Sequence, residues 1–175
     1  CANFARSMKF LFSSVEEMNE TMIDRWNEVV KPGDLVYHLG DFSLGKPEQA
    51  VEVARRLNGQ KYLIFGNHDK AVRKNIEFLG CWVWAKDLHQ IQIGGQKITL
   101  CHYAMRTWAS QHHGAWQLYG HSHGSLVESD TSKSTDVGVD MWDYAPVSYE
   151  ALSVLMNSRC FDPVDHHGGI LRKDM

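Results

Sequence analysis

Four short apolar runs in the sequence each stop at side chains that can bind a metal ion. The runs are 35–39, 62–65, 97–100 and 117–119. The side chains that follow them are Asp41, Asn67, His102, and the pair His121 and His123. In a sheet covered by helices, ligands gather beyond the carboxyl ends of the strands, so residues distant in sequence can converge there. The spacing therefore predicts one site assembled from four strand ends.

The candidate ligands combine a carboxylate, an amide oxygen and imidazoles, and they require no thiolate. This mixture suits divalent Mn, Fe, Ni, Co or Zn better than a calcium cage or a sulfur-rich structural zinc site. Two such ions, bridged by one carboxylate and about 3.5–4 Å apart, can clamp the attacking and departing oxygens of a phosphate ester. Asp41 is the candidate bridge.

Each candidate, taken alone, also has an ordinary structural interpretation. Asp41 could occupy a turn, and Asn67 with His68 could belong to a Gly-Asn turn. His102 could be a buried core histidine. Their shared position after apolar runs favours the functional interpretation for these residues. Asp69 could cap the next helix, and both interpretations of it stay open.

The remaining histidines of these runs and loops have different predicted environments. The spacing of His121 and His123 predicts that they share one face of a strand. His38 lies inside an apolar run and is predicted to be buried in a structural role, with a hydrogen bond that supports a ligand as the alternative. His112 and His113 lie in the loop that is predicted to enter the site and could touch a substrate phosphate, but a solvated position is the favoured interpretation of both.

Arg106 lies in the loop that is predicted to enter the site. It could bind a substrate phosphate by a bidentate contact, and a solvated position is an equal alternative.

The elements between the clusters alternate between strand and helix. A serine cap at Ser13-Ser14 and apolar residues at helical spacing predict an amphipathic helix that ends before Pro32-Gly33. Further helices are predicted at 47–57, 71–78 and 148–156, a hairpin at 88–93 and 97–100, and a strand at 136–139. This order predicts an α/β (α+β) fold.

Length and composition limit the remaining possibilities. The 175 residues, 43% of them hydrophobic, predict one domain over 1–156 and a loose tail over 157–175. A net charge of -3 disfavours broad nucleic-acid binding. Four dispersed cysteines, and no apolar stretch suited to a membrane span or signal peptide, predict a reduced cytoplasmic protein.

Four motifs together carry a family resemblance. Gly40-Asp41, Gly66-Asn67-His68-Asp69, His102 and Gly120-His121-Ser122-His123 occur in the order seen in calcineurin-like metallophosphoesterases. The chain resembles the small single-domain phage and bacterial members over about 13–156. The resemblance implies a β-sandwich of mixed sheets flanked by helices.

The resemblance also implies a role for each matching residue. Asp41 would bridge two metal ions, with Asn67, His102 and His121 on the second ion and His123 on the first. The nucleophile would be a metal-bound hydroxide. His68 would contact the phosphoryl oxygen or protonate the leaving group, and Asp69 would orient His68. Manganese is the first metal to test.

One family motif has no match in the sequence. The family opens with a strand that ends in Asp-x-His and supplies two ligands of the first metal, and no Asp-x-His precedes Ser13. Cys1-Ala2-Asn3 resembles the stretch just after that motif. We expect an N-terminal truncation, with the first strand missing, lower stability than the complete parent and poor binding of the first metal.

The leading hypothesis is metal-dependent hydrolysis of a small phosphomonoester or phosphodiester, with nucleotides among the candidate substrates. A relative that uses one metal ion to recognise phosphate or a protein partner is the alternative. A structural metal module or nucleic-acid-binding module is disfavoured by the unpaired cysteines and the acidic charge. The sequence determines neither the oligomeric state nor the native metals.

Overall fold

A computed structural model describes residues 12–162 and residue 164. The helices are α1 (Val15–Val29), α2 (Pro47–Arg56), α3 (Ile76–Leu79) and α4 (Tyr149–Ser158). The strands are β1 (Leu35–His38), β2 (Gln60–Ile64), β3 (Trp84–Lys86), β4 (Leu88–Ile93), β5 (Gln96–Cys101), β6 (Trp116–Tyr119) and β7 (Ser134–Asp136). The stretch Cys1-Ala2-Asn3 and most of the predicted tail lie outside the described residues.

The strands form two sheets. Strands β1, β2 and β3 pair in that order and are all parallel. Strands β4, β5, β6 and β7 form a mixed sheet, in which β4 is antiparallel to β5 and the other pairs are parallel. The predicted α/β fold, with helices flanking parallel and mixed sheets, is confirmed.

The largest apolar cluster joins the two sheets. Leu39 and Ile64, from the first sheet and its edge, pack with Leu100 and Leu118 of the second sheet and with Met156 of α4. Because β1, β2, β5 and β6 all contribute to this cluster, their carboxyl ends are held in fixed relative positions. A second cluster packs α2 and Phe78 on the outer face of β2, and a third anchors α1 through Trp26.

Local signals explain most helix boundaries. The Ser14 hydroxyl accepts the Glu17 N–H at 3.0 Å and caps α1. The helix predicted over 71–78 is divided into a 3₁₀ turn at Val72–Lys74 and α3. The Asn75 side chain accepts the Phe78 N–H at 2.8 Å, so the chain restarts a helix there instead of continuing one.

The end of α4 is anchored to the second sheet. The helix continues to Ser158, and the Arg159 guanidinium bonds the Glu128 carboxylate and donates to the Ser134 carbonyl at 2.6 Å. The Asp162 N–H donates to the Thr131 carbonyl at 3.0 Å. The first residues of the predicted tail are therefore attached to the domain, and looseness beyond them stays a prediction.

The Glu128 carboxylate is the centre of this attachment. It accepts the Asp136 N–H at 2.6 Å and the Thr135 hydroxyl, besides the Arg159 guanidinium. Burial opposes its ionisation, but these three donors outweigh burial and lower the pKa of Glu128.

This lowered pKa predicts a stability change in acid. The unfolded chain binds a proton at Glu128 more readily than the folded chain, so the stabilisation is present above the unfolded pKa and is lost as the pH falls through the folded pKa. We expect Glu128→Gln to lower the free energy of unfolding by about 1–2 kcal/mol at pH 7 and by less at pH 3.

Urea unfolding of both proteins between pH 3 and pH 7 measures this difference. Burial raises the pKa of Asp136, which acts in the opposite direction. The Glu128 charge adds to that rise, so the difference between the two curves is the net of both effects. A difference that does not vary with pH would contradict the role given to Glu128.

None of the helices in the part of the chain that the structure describes has the length and apolar character needed to cross a membrane.

Candidate metal centre

Three predicted ligands from three strand ends meet in the structure. Asp41, His102 and His121 each offer a ligand atom, and these atoms lie within 4.8 Å of one another. Oδ2 of Asp41 is 3.4 Å from Nε2 of His102. Oδ1 of Asn67 is 3.0 Å from the same nitrogen. The ends of β1, β2, β5 and β6 therefore converge on one cluster.

The hydrogen bonding of His102 decides which of its nitrogens can bind a metal. The side chain is buried, and Nδ1 lies 2.7 Å from the Leu39 carbonyl oxygen. Because a carbonyl only accepts, Nδ1 carries a proton, and Nε2 then has a lone pair whenever the imidazole is in its neutral form. That lone pair faces the oxygens of Asn67 and Asp41, which also only accept. Three lone-pair donors directed at one another fit a divalent cation between them.

Three of the six non-glycine residues with a positive φ in the described part of the chain are candidate ligands. Asp41, His121 and His123 have φ angles of 56°, 63° and 47°, in the left-handed region that residues with a side chain rarely adopt. Each such residue costs free energy, of order 1–3 kcal/mol, that packing elsewhere offsets. The left-handed backbone directs these side chains away from the positions that a continued strand would give them.

Two glycines let the loops after β1 and β2 touch. A Cβ at Gly66 would lie 2.2 Å from Oδ1 of Asp41, and a Cβ at Gly40 would lie 2.5 Å from Nδ1 of His102. Gly40 also has a φ of +96°, which favours glycine. The close approach of these loops depends on the absence of side chains at both positions.

Asp69 connects the same two loops through backbone hydrogen bonds. The side chain is fully buried. Its Oδ2 accepts the N–H groups of Asp41 at 2.9 Å and Gly66 at 2.8 Å, and its Oδ1 accepts the Phe42 N–H at 2.9 Å. The carboxylate thus positions the backbone of both loops, a function that is distinct from capping a helix. The expectation that Asp69 orients His68 stays a prediction.

His68 lies beside the bridging candidate. Its backbone N–H donates to Oδ1 of Asp41 at 2.7 Å, and its side chain is half-buried. This bond leaves Oδ2 of Asp41 facing His102. The loop after β2 therefore orients the Asp41 carboxylate, and its second oxygen is directed at His102, at the end of β5.

His121 has the properties of a neutral ligand. Its ring lies edge-on to the His102 ring, with centroids 5.0 Å apart. Partial burial and the nearby His102 lower the pKa of His121, which favours the neutral imidazole that metal binding requires.

The predicted geometry of His121 and His123 is wrong. Strand β6 ends at Tyr119, and both histidines lie in the following turn, so they do not share a strand face. His123 is not one of the three residues whose ligand atoms meet. Its Nδ1 lies 2.5 Å from Oδ2 of Asp140. Asp140 is on the 3₁₀ turn after β7, and no motif in the sequence singled it out.

His38 is half-buried and not fully buried as predicted, and it shows features of both interpretations that the sequence leaves open. Its ring packs against Trp26, Phe42 and Trp82 with centroids 5.2–6.5 Å apart. Nδ1 accepts the Gly40 N–H at 3.3 Å, next to the ligand Asp41. Burial lowers the pKa of His38, and the nearby Asp69 opposes this shift. A neutral, packed histidine thus supports the loop after β1.

The loop after β5 carries Arg106 and the pair His112 and His113. Arg106 is exposed, and its carbonyl oxygen accepts Nε2 of Gln111 at 3.4 Å. Its contact with substrate stays a prediction. The rings of His112 and His113 contact each other at 4.0 Å on a 3₁₀ turn. Tyr103, which the sequence did not single out, contacts the rings of both His102 and His121.

Comparisons with known proteins show the family to which the chain belongs. The family model described as the calcineurin-like phosphoesterase superfamily domain matches residues 16–138, which include all the candidate ligands. The chain belongs to this superfamily. This is a superfamily of metal-dependent phosphoester hydrolases, as the resemblance implies.

Two relatives extend the similarity beyond the matched domain. The uncharacterized protein MJ1445 of Methanocaldococcus jannaschii is 33% identical over 162 residues, which cover 89% of this chain and 84% of that protein. The Gene 66 protein of Mycobacterium phage L5 is 26% identical over 162 residues, with 75% of this chain and 78% of that protein covered.

A solved structure shares the fold. The protein of unknown function AQ665 from Aquifex aeolicus superposes with a TM-score of 0.60 at 20% identity, covering 81% of this chain and 87% of that one. At this identity the likeness concerns the fold alone.

Proposed function

We propose that the protein hydrolyses phosphomonoesters or phosphodiesters with the help of two divalent metal ions, manganese being the first to test. The convergence of ligand atoms from Asp41, His102 and His121 carries this proposal. Family membership supports it independently. Small phosphate esters, including nucleotides, are the proposed substrates.

The ligands divide between the two ions in our proposal. Asp41 would be shared by both ions, Asn67, His102 and His121 would be the remaining protein ligands of the second ion, and His123 would be a ligand of the first. Bound divalent ions would neutralise phosphate charge and supply hydroxide near neutral pH. The acceptor atoms gathered around Nε2 of His102 support the second position most directly.

His68 is proposed to act on the substrate through its imidazole. Its backbone is fixed to Asp41 by the 2.7 Å hydrogen bond, and in this proposal its ring lies beside the bound phosphate. From there the ring can donate a proton to a phosphoryl or leaving-group oxygen. Asp69 holds the loop that carries His68.

We expect metal-dependent hydrolysis of bis(4-nitrophenyl) phosphate by the complete protein in the presence of manganese. His68→Ala should lower kcat by about 100-fold, because general acid–base groups typically contribute factors of that order. His113→Ala, an exposed histidine of the loop after β5, serves as the matched control and should keep its activity. Full activity of His68→Ala would contradict the assigned site.

A second candidate is a relative that uses one metal ion to recognise phosphate or a partner. The position of His123 outside the three-residue cluster favours it. Mass spectrometry under non-denaturing conditions separates the candidates by counting bound manganese. Two ions with turnover support hydrolysis, whereas one tightly bound ion without turnover supports recognition.

A further inference from the structure

Tyr103 adjoins the metal cluster and has not been given a role. It directly follows His102, and its ring centroid lies 4.9 Å from that of His102 and 4.7 Å from that of His121. Both contacts are edge-on, at 74° and 66°. The Tyr103 ring thus borders two of the three residues whose ligand atoms meet.

The ring is exposed although its neighbour is buried. Tyr103 is 47% exposed, whereas His102 is 1% exposed. Aromatic side chains are usually buried or have a partner, since they carry a large apolar area. A large aromatic surface left open beside a metal cluster is available to a ligand.

A hydrogen bond from Gln117 of β6 holds the backbone of Tyr103 in place. Its carbonyl oxygen accepts a hydrogen bond from Nε2 of Gln117 at 3.2 Å, and Oε1 of the same Gln117 accepts the Met105 N–H at 3.3 Å. Gln117 is fully buried in β6. A fixed backbone keeps the ring beside the histidines, so little ordering is required when a ligand packs on it.

We propose that Tyr103 selects phosphate esters whose organic group is a planar aromatic system, by packing against that group while the cluster binds the phosphate. This inference rests on the proposed function, and it adds the class of substrate. In this arrangement the organic group of the ester would lie on the open side of the cluster, where the exposed Tyr103 ring borders His102 and His121. Stacking of two rings then favours an aromatic group over an alkyl group of similar size.

Binding of ligands that resist hydrolysis tests this selection apart from turnover. Calorimetric titrations of the full chain with manganese would use phenylphosphonate, propylphosphonate and inorganic phosphate. We expect Tyr103→Leu to weaken phenylphosphonate by about fivefold and to change the other two by less than twofold. Tyr103→Phe, which keeps the ring, should bind all three as the parent does.

The outcomes are distinct. Equal weakening of all three ligands by Tyr103→Leu would overturn the inference, because it would show that Tyr103 only supports the metal ligands. No change for phenylphosphonate, or an equal loss in Tyr103→Phe, would also overturn it. A selective loss without hydrolysis of any ester would support the inference while the proposed hydrolysis fails.

Two controls complete the design. Tyr149→Leu removes a tyrosine that packs on Trp116 and contacts the Ile93 carbonyl. This tyrosine lies at the far end of β5 from His102, so the variant should leave the affinity for phenylphosphonate relative to propylphosphonate unchanged. Tyr103→Gln replaces Tyr103→Leu if that variant unfolds. The 5′-phosphonate analogue of adenosine monophosphate shows whether the ring selects nucleobases as well as aryl groups directly on phosphorus.

Discussion

Asp69→Ala is expected to lower the free energy of unfolding by about 4 kcal/mol, a large fraction of the 5–15 kcal/mol that stabilises a typical domain. The carboxylate is fully buried and accepts three backbone N–H groups, from Asp41, Phe42 and Gly66. Removing it leaves three donors without a partner, and each costs about 1–3 kcal/mol when buried. Both loops that carry ligands should then lose their fixed positions.

Urea unfolding in the presence of a chelator measures this effect without any contribution from bound metal. Asp130→Ala, at an exposed position, is the control and should change stability by less than about 0.5 kcal/mol. Asp69→Asn should lower the free energy of unfolding by more than Asp130→Ala and by less than Asp69→Ala. An amide keeps one accepting oxygen, but its NH₂ group faces a backbone N–H. A loss below about 1 kcal/mol in Asp69→Ala would contradict the positioning role.

The sequence predicted the convergence of ligands better than their local geometry. Asp41, Asn67, His102 and His121 meet because strand ends in parallel arrangement bring distant residues together, and apolar runs reveal strand ends. The left-handed backbone of His121 and His123 was not predicted, because neither residue type signals that conformation. The spacing of two was therefore assigned to a strand that ends earlier.

Contacts with the backbone were the least predictable part of the site. Asp69 was recognised from its motif, but its partners are main-chain N–H groups, which exist at every residue and leave no pattern in the sequence. Strand β3 has three residues and is defined by pairing with β2, so apolar periodicity could not reveal it. Long elements with caps, such as α1, were predicted closely.

Gly66→Ala is expected to destabilise the protein by about 3 kcal/mol and to weaken metal binding at the same time. The added Cβ would lie 2.2 Å from Oδ1 and 2.4 Å from the backbone nitrogen of Asp41, closer than real Cβ contacts allow. The φ of Gly66 is outside the left-handed region, so alanine meets no backbone penalty there and the effect is steric. Gly40 would give a less clear result because its φ of +96° adds strain.

Gly33→Ala isolates the steric cause, because a Cβ at Gly33 meets nothing within 4 Å and its φ is likewise outside the left-handed region. Alanine there restricts the unfolded chain and should change stability by less than about 1 kcal/mol. We expect Gly66→Ala to lower both the free energy of unfolding and the affinity for manganese. Gly33→Ala should lower neither. If Gly66→Ala lost stability but bound manganese normally, Asp41 would have moved without affecting the site, and its place in the metal centre would be wrong.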